Sequence, residues 1–252
     1  MKLSKESVRL LVNAPSQYAI RLARSPAEVQ AAQALRFQVF NLELNEGLAH
    51  SYATGLDADH FDDVCDHLIV LHASTGEIVG TYRLQTGVSA AKNLGYYCAQ
   101  EFQFDVFESV RNQIVELGRA CVHRQHRNLF VLGLLWKGIA DYARERACRY
   151  LIGCSSLTSQ EPAAGASAFT ELCRNHLVAP AWRTMPLASH ECPLDAVTEE
   201  PVSIPKLLRA YLTIGAKICG PPALDRQFKT IDFLTMLDLE DLSKATRERF
   251  IG

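Results

Sequence analysis

The hydrophobic and polar positions of this chain follow two periods, one typical of helices and the other typical of strands. The clearest unit lies near the middle. There, residues 113–122 have the composition of a strand, 131–146 repeat apolar residues at helical spacing, and 150–154 form a short apolar run. A strand, a loop, a helix and a second strand in this order predict a crossover, which is typical of a parallel or mixed sheet covered by helices.

Further helices and strands are predicted on both sides of this unit. Residues 66–71 and 78–84 are β-rich runs joined by a Ser-Thr-Gly-Glu turn, which predicts a hairpin. Upstream, Ser25 and Glu28 form a capping-box pair around a proline, so a helix is expected over 26–44. The remaining predictions are helices at 163–176, 205–219 and 239–250 and a strand at 230–237.

The helix at 26–44 is expected to have two distinct faces. Its apolar stripe consists of Val29, Ala32, Leu35, Val39 and Leu42. Arg36, Phe40 and Glu43 follow one another at spacings of four and three residues, so they share a second face that is available for a site. The polar segment 45–64 contains four aspartates and has the length of a functional or mobile loop.

These elements predict an α/β chain that forms a single domain over residues 1–252. Residues 177–205 hold five of the ten prolines, which predicts an irregular Pro-rich excursion. Residues 206–252 are expected to form a C-terminal extension that packs on the sheet.

Composition and charge narrow the classes of function. With 252 residues and 48% hydrophobic content, the chain is long enough to bury a sizeable core. Its net charge of −2 gives no reason to expect nucleic-acid binding, which needs a basic surface. The sequence has no run of about 18 or more apolar residues, and no apolar leader follows residues 1–6, so a cytoplasmic protein is expected. Eight cysteines without CxxC spacing are expected to be buried structural thiols.

Acyl transfer to an amine requires a polarised carbonyl, a base for the ammonium proton and a site that recognises the charges of the acceptor. Suitable side chains occur on the first helix, on the second hairpin strand and on the strand at 113–122. They are Arg36, Phe40, Glu43, Arg83, Glu116 and Arg119. The sequence therefore predicts acyl-transfer chemistry centred on the strand that carries Glu116 and Arg119.

Several stretches of the sequence resemble GNAT-fold acyltransferases. The main ones are Cys-Asp-His-Leu-Ile-Val at 65–70, Gly-Thr-Tyr-Arg-Leu at 80–84, Glu-Leu-Gly-Arg-Ala-Cys-Val at 116–122 and Leu-Leu-Trp-Lys-Gly-Ile at 134–139. The chain is most similar to the branch of ornithine lipid biosynthesis N-acyltransferases, and more distantly to acyl-homoserine-lactone synthases. This resemblance implies a mixed, twisted sheet flanked by helices, with a splayed strand at 114–122.

The resemblance also implies an activity. The donor would be a 3-hydroxyacyl group carried as a 4′-phosphopantetheine thioester on acyl carrier protein, and no bound cofactor or metal is implied. The acceptor would be the α-amine of ornithine, giving lyso-ornithine lipid. Glu116 resembles the family's base, and Arg83 and Arg119 resemble its basic positions. The acidic positions that correspond to acceptor recognition are Asp59, Asp62 and Asp66.

Strict alternation along the strand puts Glu116 and Arg119 on opposite faces of the sheet. The two share a site only if a bulge interrupts the pleat, and Gly118 is suited to one. The resemblance implies such a splay, in which freed backbone groups contact pantetheine and the thioester. The residues expected to bind the donor are Leu117, Gly118, Cys121, Val122, Arg124 and Arg127.

The expected phosphate-binding loop departs from the common family pattern. CoA-dependent members have an Arg/Gln-x-x-Gly-x-Gly/Ala sequence before the helix, and residues 127–133 lack those glycines. A helix N-terminus with Arg124 and Arg127 can still hold the single phosphate of phosphopantetheine. The departure favours a carrier protein over free CoA as the donor.

Structural roles compete with functional ones at several of these positions. Glu116, Arg83 and Arg119 are also candidates for structural ion pairs. The aspartates at 57–63 are also candidates for side chains that only solvate a loop. Phe40 and Trp136 are residue types found in cores more often than in acyl channels. Cys121 is the nearest thiol, but direct transfer needs no covalent cysteine intermediate.

Two further motifs have alternative interpretations. His123 and His126 lack a third ligand, so no metal site is predicted. The helix at 205–219 carries basic residues beside its apolar positions, so it can either lie on an anionic membrane surface or pack on the sheet, and packing is favoured. Peripheral contact with the inner membrane face is compatible with a lipid product.

Two other functions remain open from the sequence alone. One is the synthesis of another N-acyl amino acid or of an acyl-homoserine-lactone signal. The other is a non-catalytic module that binds acyl carrier protein or lipid.

Overall fold

The computed structural model of the protein describes residues 17–196 and 203–250. Residues 1–6, which are used to predict the cytoplasmic location, lie outside these ranges. Residues 197–202 of the Pro-rich excursion and residues 251–252 of the C-terminal extension also lie outside them. The strands are β1 Tyr18–Leu22, β2 Asp66–His72, β3 Ile78–Thr86, β4 Ile114–Val122, β5 Tyr150–Leu157, β6 Lys217–Ile218, β7 Ala223–Asp225 and β8 Thr230–Asp238. The α-helices are α1 Pro26–Phe37, α2 Ser51–Thr54, α3 Gly87–Lys92, α4 Leu129–Glu145, α5 Pro162–Cys173, α6 Lys206–Thr213 and α7 Lys244–Phe250.

The strands of the described residues form one sheet in the order β1-β2-β3-β4-β5-β8-β6, with β7 also paired to β8. Neighbouring strands are antiparallel except β4 and β5, which are parallel and are connected through α4. The predicted hairpin is β2 and β3, and the predicted crossover is β4, α4 and β5. The mixed sheet expected from the sequence is therefore confirmed.

Helices α4 and α1 cover opposite faces of the sheet. On one face, Val131 and Ile139 of α4 are buried against Leu68 and Val70 of β2. Burial of each such side chain contributes about 1.5–3 kcal/mol. Gly138 allows the close approach of α4, because a Cβ there would lie 2.6–2.9 Å from side chains of β1 and β2. This packing leaves the other face of the sheet to α1 and to the loops that carry polar groups.

Helix α1 begins as the sequence predicts but ends differently. Ser25 Oγ accepts a hydrogen bond from the backbone N–H of Glu28 at 3.3 Å. After Phe37 the chain continues as a π-helix over Gln38–Glu43, whose wider turn changes which side chains face the core. Leu42 is consequently 61% exposed, so the prediction that it belongs to the core stripe is wrong.

The helix predicted over 205–219 is shorter than expected. It ends at Thr213, and Gly215 adopts a φ of 109°, a left-handed conformation that glycine tolerates. The chain then forms β6, which pairs with β8. Leu208 and Tyr211 of α6 are buried, so the helix packs on the sheet with one face.

The last helix also begins later than predicted. It starts at Lys244 instead of at residue 239, and the hydroxyl of Ser243 accepts a hydrogen bond from the N–H of Thr246 at 3.1 Å. Within 17–196 and 203–250, no helix is long and apolar enough to cross a membrane.

Candidate active site

A β-bulge interrupts the pairing of β3 and β4 at the predicted position. Gly118 pairs with Arg83 and Cys121 pairs with Thr81, so two residues of β4 face a single residue of β3. The left-handed backbone falls on Arg119, with φ 51°, and not on Gly118. Such a conformation costs about 1–2 kcal/mol for a residue with a side chain, so the contacts of Arg119 must stabilise it.

Strands β4 and β5 separate immediately beside the bulge. Their parallel pairing ends at Glu116 and Ile152. Gly153 still lies against the Leu117 carbonyl oxygen, because a Cβ there would be only 2.4 Å from that oxygen. Beyond this contact the two strands form no further ladder pairs, so the splay expected at 114–122 is confirmed and the backbone groups of β4 that follow are free of the ladder on this side.

The splay opens into a cavity of about 470 Å³. Glu116 and Arg119 both line it, because the bulge brings the two side chains to the same site. The other sequence-predicted residues on its wall are Phe40, Arg83, Leu117, Gly118 and Arg127. Wall residues that the sequence did not single out include Gln85, Tyr97, Tyr211, Asp225, Phe228 and Asp232.

Glu116 is buried, with 3% of its surface exposed, and three N–H groups point at its carboxylate. The backbone N–H groups of Tyr97 and Cys98 donate to it at 2.9 and 2.8 Å, and the side-chain amide of Gln85 also donates. The carboxylate therefore fixes the segment that carries Tyr97. A carboxylate that only accepts hydrogen bonds suits this arrangement.

Arginines and aspartates form a buried network beside the cavity. Arg36 donates from Nε to Asp57 at 2.8 Å and from Nη2 to Asp62 at 2.7 Å. Arg83 Nη1 donates to the other oxygen of Asp62 at 3.1 Å. Burial by itself raises the pKa of the Asp62 carboxyl, but the charges of Arg36 and Arg83 outweigh burial and hold that pKa far below its usual range.

The network continues through Asp59 to the cavity wall. Arg83 Nη1 donates to Asp59 Oδ1 at 2.6 Å, and Arg119 Nη2 donates to Asp59 Oδ2 at 3.0 Å. The guanidinium of Arg119 also lies 4.0 Å from the ring centroid of Phe228 and 4.8 Å from that of Tyr97. These contacts hold Arg119 in its left-handed conformation. Because the aspartates pair with arginines, they offer little free negative charge to a cationic acceptor.

Several predicted site residues do not line the cavity. Glu43 pairs with Arg127 at the surface, and Asp66 accepts a hydrogen bond from the Tyr142 hydroxyl at 2.8 Å. Cys121 is buried beneath α1, where burial raises the pKa of its thiol to about 12. Two more donor-binding candidates, Val122 and Arg124, also lie outside the wall.

The N-terminus of α4 is capped by a side chain of the protein itself. Asn128 Oδ1 accepts hydrogen bonds from the backbone N–H groups of Phe130 and Val131, each at 3.0 Å. Those two amides belong to the group that a phosphate contacts at a helix N-terminus. A phosphate would therefore have to displace the Asn128 side chain to use them.

Replacing Asn128 with alanine is expected to lower the free energy of unfolding by about 1 kcal/mol, the typical cost of losing an N-cap side chain. Urea denaturation followed by circular dichroism measures this change. Asn175→Ala is the matched control, because Asn175 is exposed and lies beyond the end of α5. Equal stability of the two variants would contradict the capping role.

A second group of carboxylates lies against the cavity and was missed from the sequence. Glu101, Asp225 and Asp232 are all buried, and Asp225 and Asp232 line the wall. Burial and the negative charges of its two neighbours raise the pKa of Glu101 well above its usual value, and burial raises that of Asp232 to about 6. The available signal was an aspartate inside the otherwise apolar strand at 230–237.

Among the described residues, Glu101, Asp232 and Cys154 also have potential metal-ligand atoms within 4.8 Å of one another. The donor set is a mixed one, since it combines hard carboxylate oxygens with a soft sulfur. The neighbouring Cys98 and burial raise the pKa of the Cys154 thiol. Carboxylate oxygens prefer hard cations and a cysteine sulfur prefers soft ones, so this donor set matches no one metal ion well.

Comparisons with known proteins agree with this fold. Residues 35–137 match the family described as "Acetyltransferase (GNAT) domain". The chain is 34% identical over 239 residues to an L-ornithine N(alpha)-acyltransferase of Brucella abortus, across 89% of this chain and 85% of the relative. It is 32% identical over 248 residues to the protein of that name from Rhodobacter capsulatus, across 93% and 95% of the two chains.

A solved structure shares the fold at lower identity. The AHL synthase LasI superimposes with a TM-score of 0.54 and 12% identity, over 94% of this chain and 96% of that one. The splayed sheet and its cavity thus define a GNAT-fold N-acyltransferase. More narrowly, the chain belongs to the family of the L-ornithine N(alpha)-acyltransferases that it matches over most of its length.

Proposed function

We propose that the protein transfers a 3-hydroxyacyl group from acyl carrier protein to the α-amine of ornithine, giving lyso-ornithine lipid. The observation that carries this proposal is the identity to ornithine acyltransferases over most of the chain, together with a cavity that joins the splay to Glu116. The identity to relatives named as acyltransferases also argues against a non-catalytic binding module.

The proposed reaction is a direct transfer. The donor thioester lies in the splay beside Leu117 and Gly118, and a freed backbone N–H of β4 polarises its carbonyl. Glu116 first accepts a proton from the ammonium group, directly or through water, and frees the nitrogen lone pair. The amine then attacks the carbonyl carbon, the C–S bond breaks, and the departing sulfur takes up a second proton from the nitrogen, so pantetheine leaves as a thiol and the amide is formed. Buried Arg83 Nη2, which has no hydrogen-bond partner, is the proposed donor to the acceptor carboxylate.

The donor is proposed to be protein-bound. The Asn128 cap and the missing glycines support this choice, because both disfavour the extended pyrophosphate contacts that CoA makes at such a helix. Arg124 and Arg127 are the proposed contacts of the single phosphate of phosphopantetheine. The protein is proposed to act in the cytoplasm, in peripheral contact with the membrane that receives its lipid product.

Mass spectrometry of reactions with the purified protein tests this function. With ornithine and 3-hydroxyacyl-acyl carrier protein, we expect lyso-ornithine lipid, and we expect much slower formation from the same acyl group on CoA. A homoserine-lactone product in place of the ornithine amide would contradict the acceptor. Equal rates from both donors would contradict the carrier-protein assignment. No turnover with any amine would indicate a binding module.

A further inference from the structure

The charge on the cavity wall is unevenly distributed. The negative charges of Asp57, Asp59 and Asp62, which lie beside the cavity, are balanced by the positive charges of Arg36, Arg83 and Arg119. Within 17–196 and 203–250, by contrast, no basic side chain forms an ion pair with Glu101, Asp225 or Asp232. This second group is therefore a cluster of buried carboxyl groups without an arginine or lysine partner.

One atom of this group has no partner at all. Asp232 is 95% buried, with a relative exposure of 5%, and its Oδ1 makes no hydrogen bond within the described protein. Buried polar atoms normally find partners, so a buried carboxylate oxygen without one indicates a donor group that binds there.

We infer that Asp232, assisted by Glu101 and Asp225, binds the side-chain ammonium of the acceptor and makes the enzyme selective for a diamino acid. This inference rests on the proposed function and specifies which residues read the δ-ammonium of ornithine. An ammonium group has three N–H donors and a positive charge, which match the unpaired oxygen of Asp232 and a group of carboxyls that no basic side chain pairs.

The arrangement of the wall agrees with the shape of ornithine. The carboxylate of Glu116 accepts a hydrogen bond from the backbone N–H of Cys98, and Cys98 Sγ lies 3.5 Å from Cys154 Sγ. Cys154 in turn lies 4.0 Å from Glu101 Oε2, so the second carboxylate group begins next to the proposed base. Because Glu116 and Asp232 line the same cavity, the inference places the α-amine of the acceptor at Glu116 and its side-chain ammonium at Asp232.

Steady-state kinetics with ornithine and norvaline test the inference, because norvaline has the same carbon chain without the δ-ammonium. With acyl carrier protein as the donor carrier, the wild type is expected to favour ornithine by about a hundredfold or more in kcat/KM. Asp232→Asn and Glu101→Gln are expected to lose about tenfold or more with ornithine, mainly through KM, and so to narrow the preference for ornithine over norvaline by about the same factor. The exposed Asp241→Asn is the matched control and keeps the preference.

Thermal shifts measured with each amino acid separate this inference from the proposed function. Ornithine, but not norvaline, is expected to raise the Tm of the wild type, and Asp232→Asn is expected to lose that shift. If ornithine binds in this way but is not acylated, the proposed function fails and the inference stands. Equal losses with both amino acids, or stoichiometric metal found by elemental analysis of the wild type and absent from Asp232→Asn, would overturn it.

Discussion

Replacing Glu116 with glutamine is expected to lower kcat for ornithine acylation by about a hundredfold or more, the usual contribution of a general base. The carboxylate lines the cavity beside the splay, where the acceptor nitrogen must approach the thioester. Glutamine keeps the size of the side chain but cannot take up a proton. Initial rates at saturating acyl carrier protein and ornithine, measured across pH, give both kcat and the acidic limb that the base produces.

The same substitution also affects the structure. A glutamine at this position must turn its own NH₂ group towards one of the N–H donors of Tyr97, Cys98 or Gln85, so the segment that carries Tyr97 loses an anchor. Glu28→Gln is the matched control, because Glu28 also accepts a backbone N–H, that of Arg24, far from the cavity. The control is expected to lose stability without losing kcat.

The pH profile separates the two roles of Glu116. A base requires that the acidic limb of the wild-type profile disappear in the variant. A lower kcat with an unchanged profile would leave Glu116 as the anchor of Tyr97 alone, and an unchanged kcat would remove it as the base.

Local patterns in the sequence predicted most of the fold. The spacing of apolar residues in 131–146 and the β-rich runs around it carry their own periodicity, so α4 and its flanking strands follow from neighbouring residues alone. Where prediction failed, a non-local contact decided. Residues 217–218 pair with β8 instead of extending α6, and the π-helical turn after Phe37 turns Leu42 outwards.

The site was only partly predictable for a related reason. The bulge could be inferred from Glu116 and Arg119, because both lie on one strand and had to meet. Which aspartates remain available depends on ion pairs between segments that are distant in the chain, such as Arg119 with Asp59. Glu101 and Asp232 are 131 positions apart in the sequence and meet only in the folded sheet. No local pattern links them.

The aspartates near the first helix are therefore better explained by stability than by acceptor recognition. Replacing Asp62 with asparagine is expected to lower the free energy of unfolding by about 3–5 kcal/mol, the cost of breaking a buried ion pair and leaving its partner uncompensated. Asp62 accepts from both Arg36 and Arg83. Without it, Asp57 and Asp59 balance only two of the three arginines in the buried network, so one positive charge is left uncompensated. Urea denaturation at neutral pH measures the change. Asp63→Asn is the matched control, because Asp63 is the next residue in the chain and is exposed.

The pH dependence of that difference provides a second test. Since the folded protein holds the pKa of Asp62 far below the value of about 3.9 expected for the unfolded chain, its contribution is fully present above that value. It is lost as the pH falls further, because the unfolded chain then binds the proton first. The gap in stability between wild type and Asp62→Asn should therefore be widest near neutral pH and narrow towards pH values of about 3 and below. His67, whose pKa is lowered by burial, lies 3.7 Å from Asp62 Oδ1, so both proteins are compared in a His67→Gln background that removes its titration. A gap that stays constant from neutral to acidic pH, or an Asp62→Asn variant as stable as Asp63→Asn, would show that the network does not stabilise the fold through the charge of Asp62.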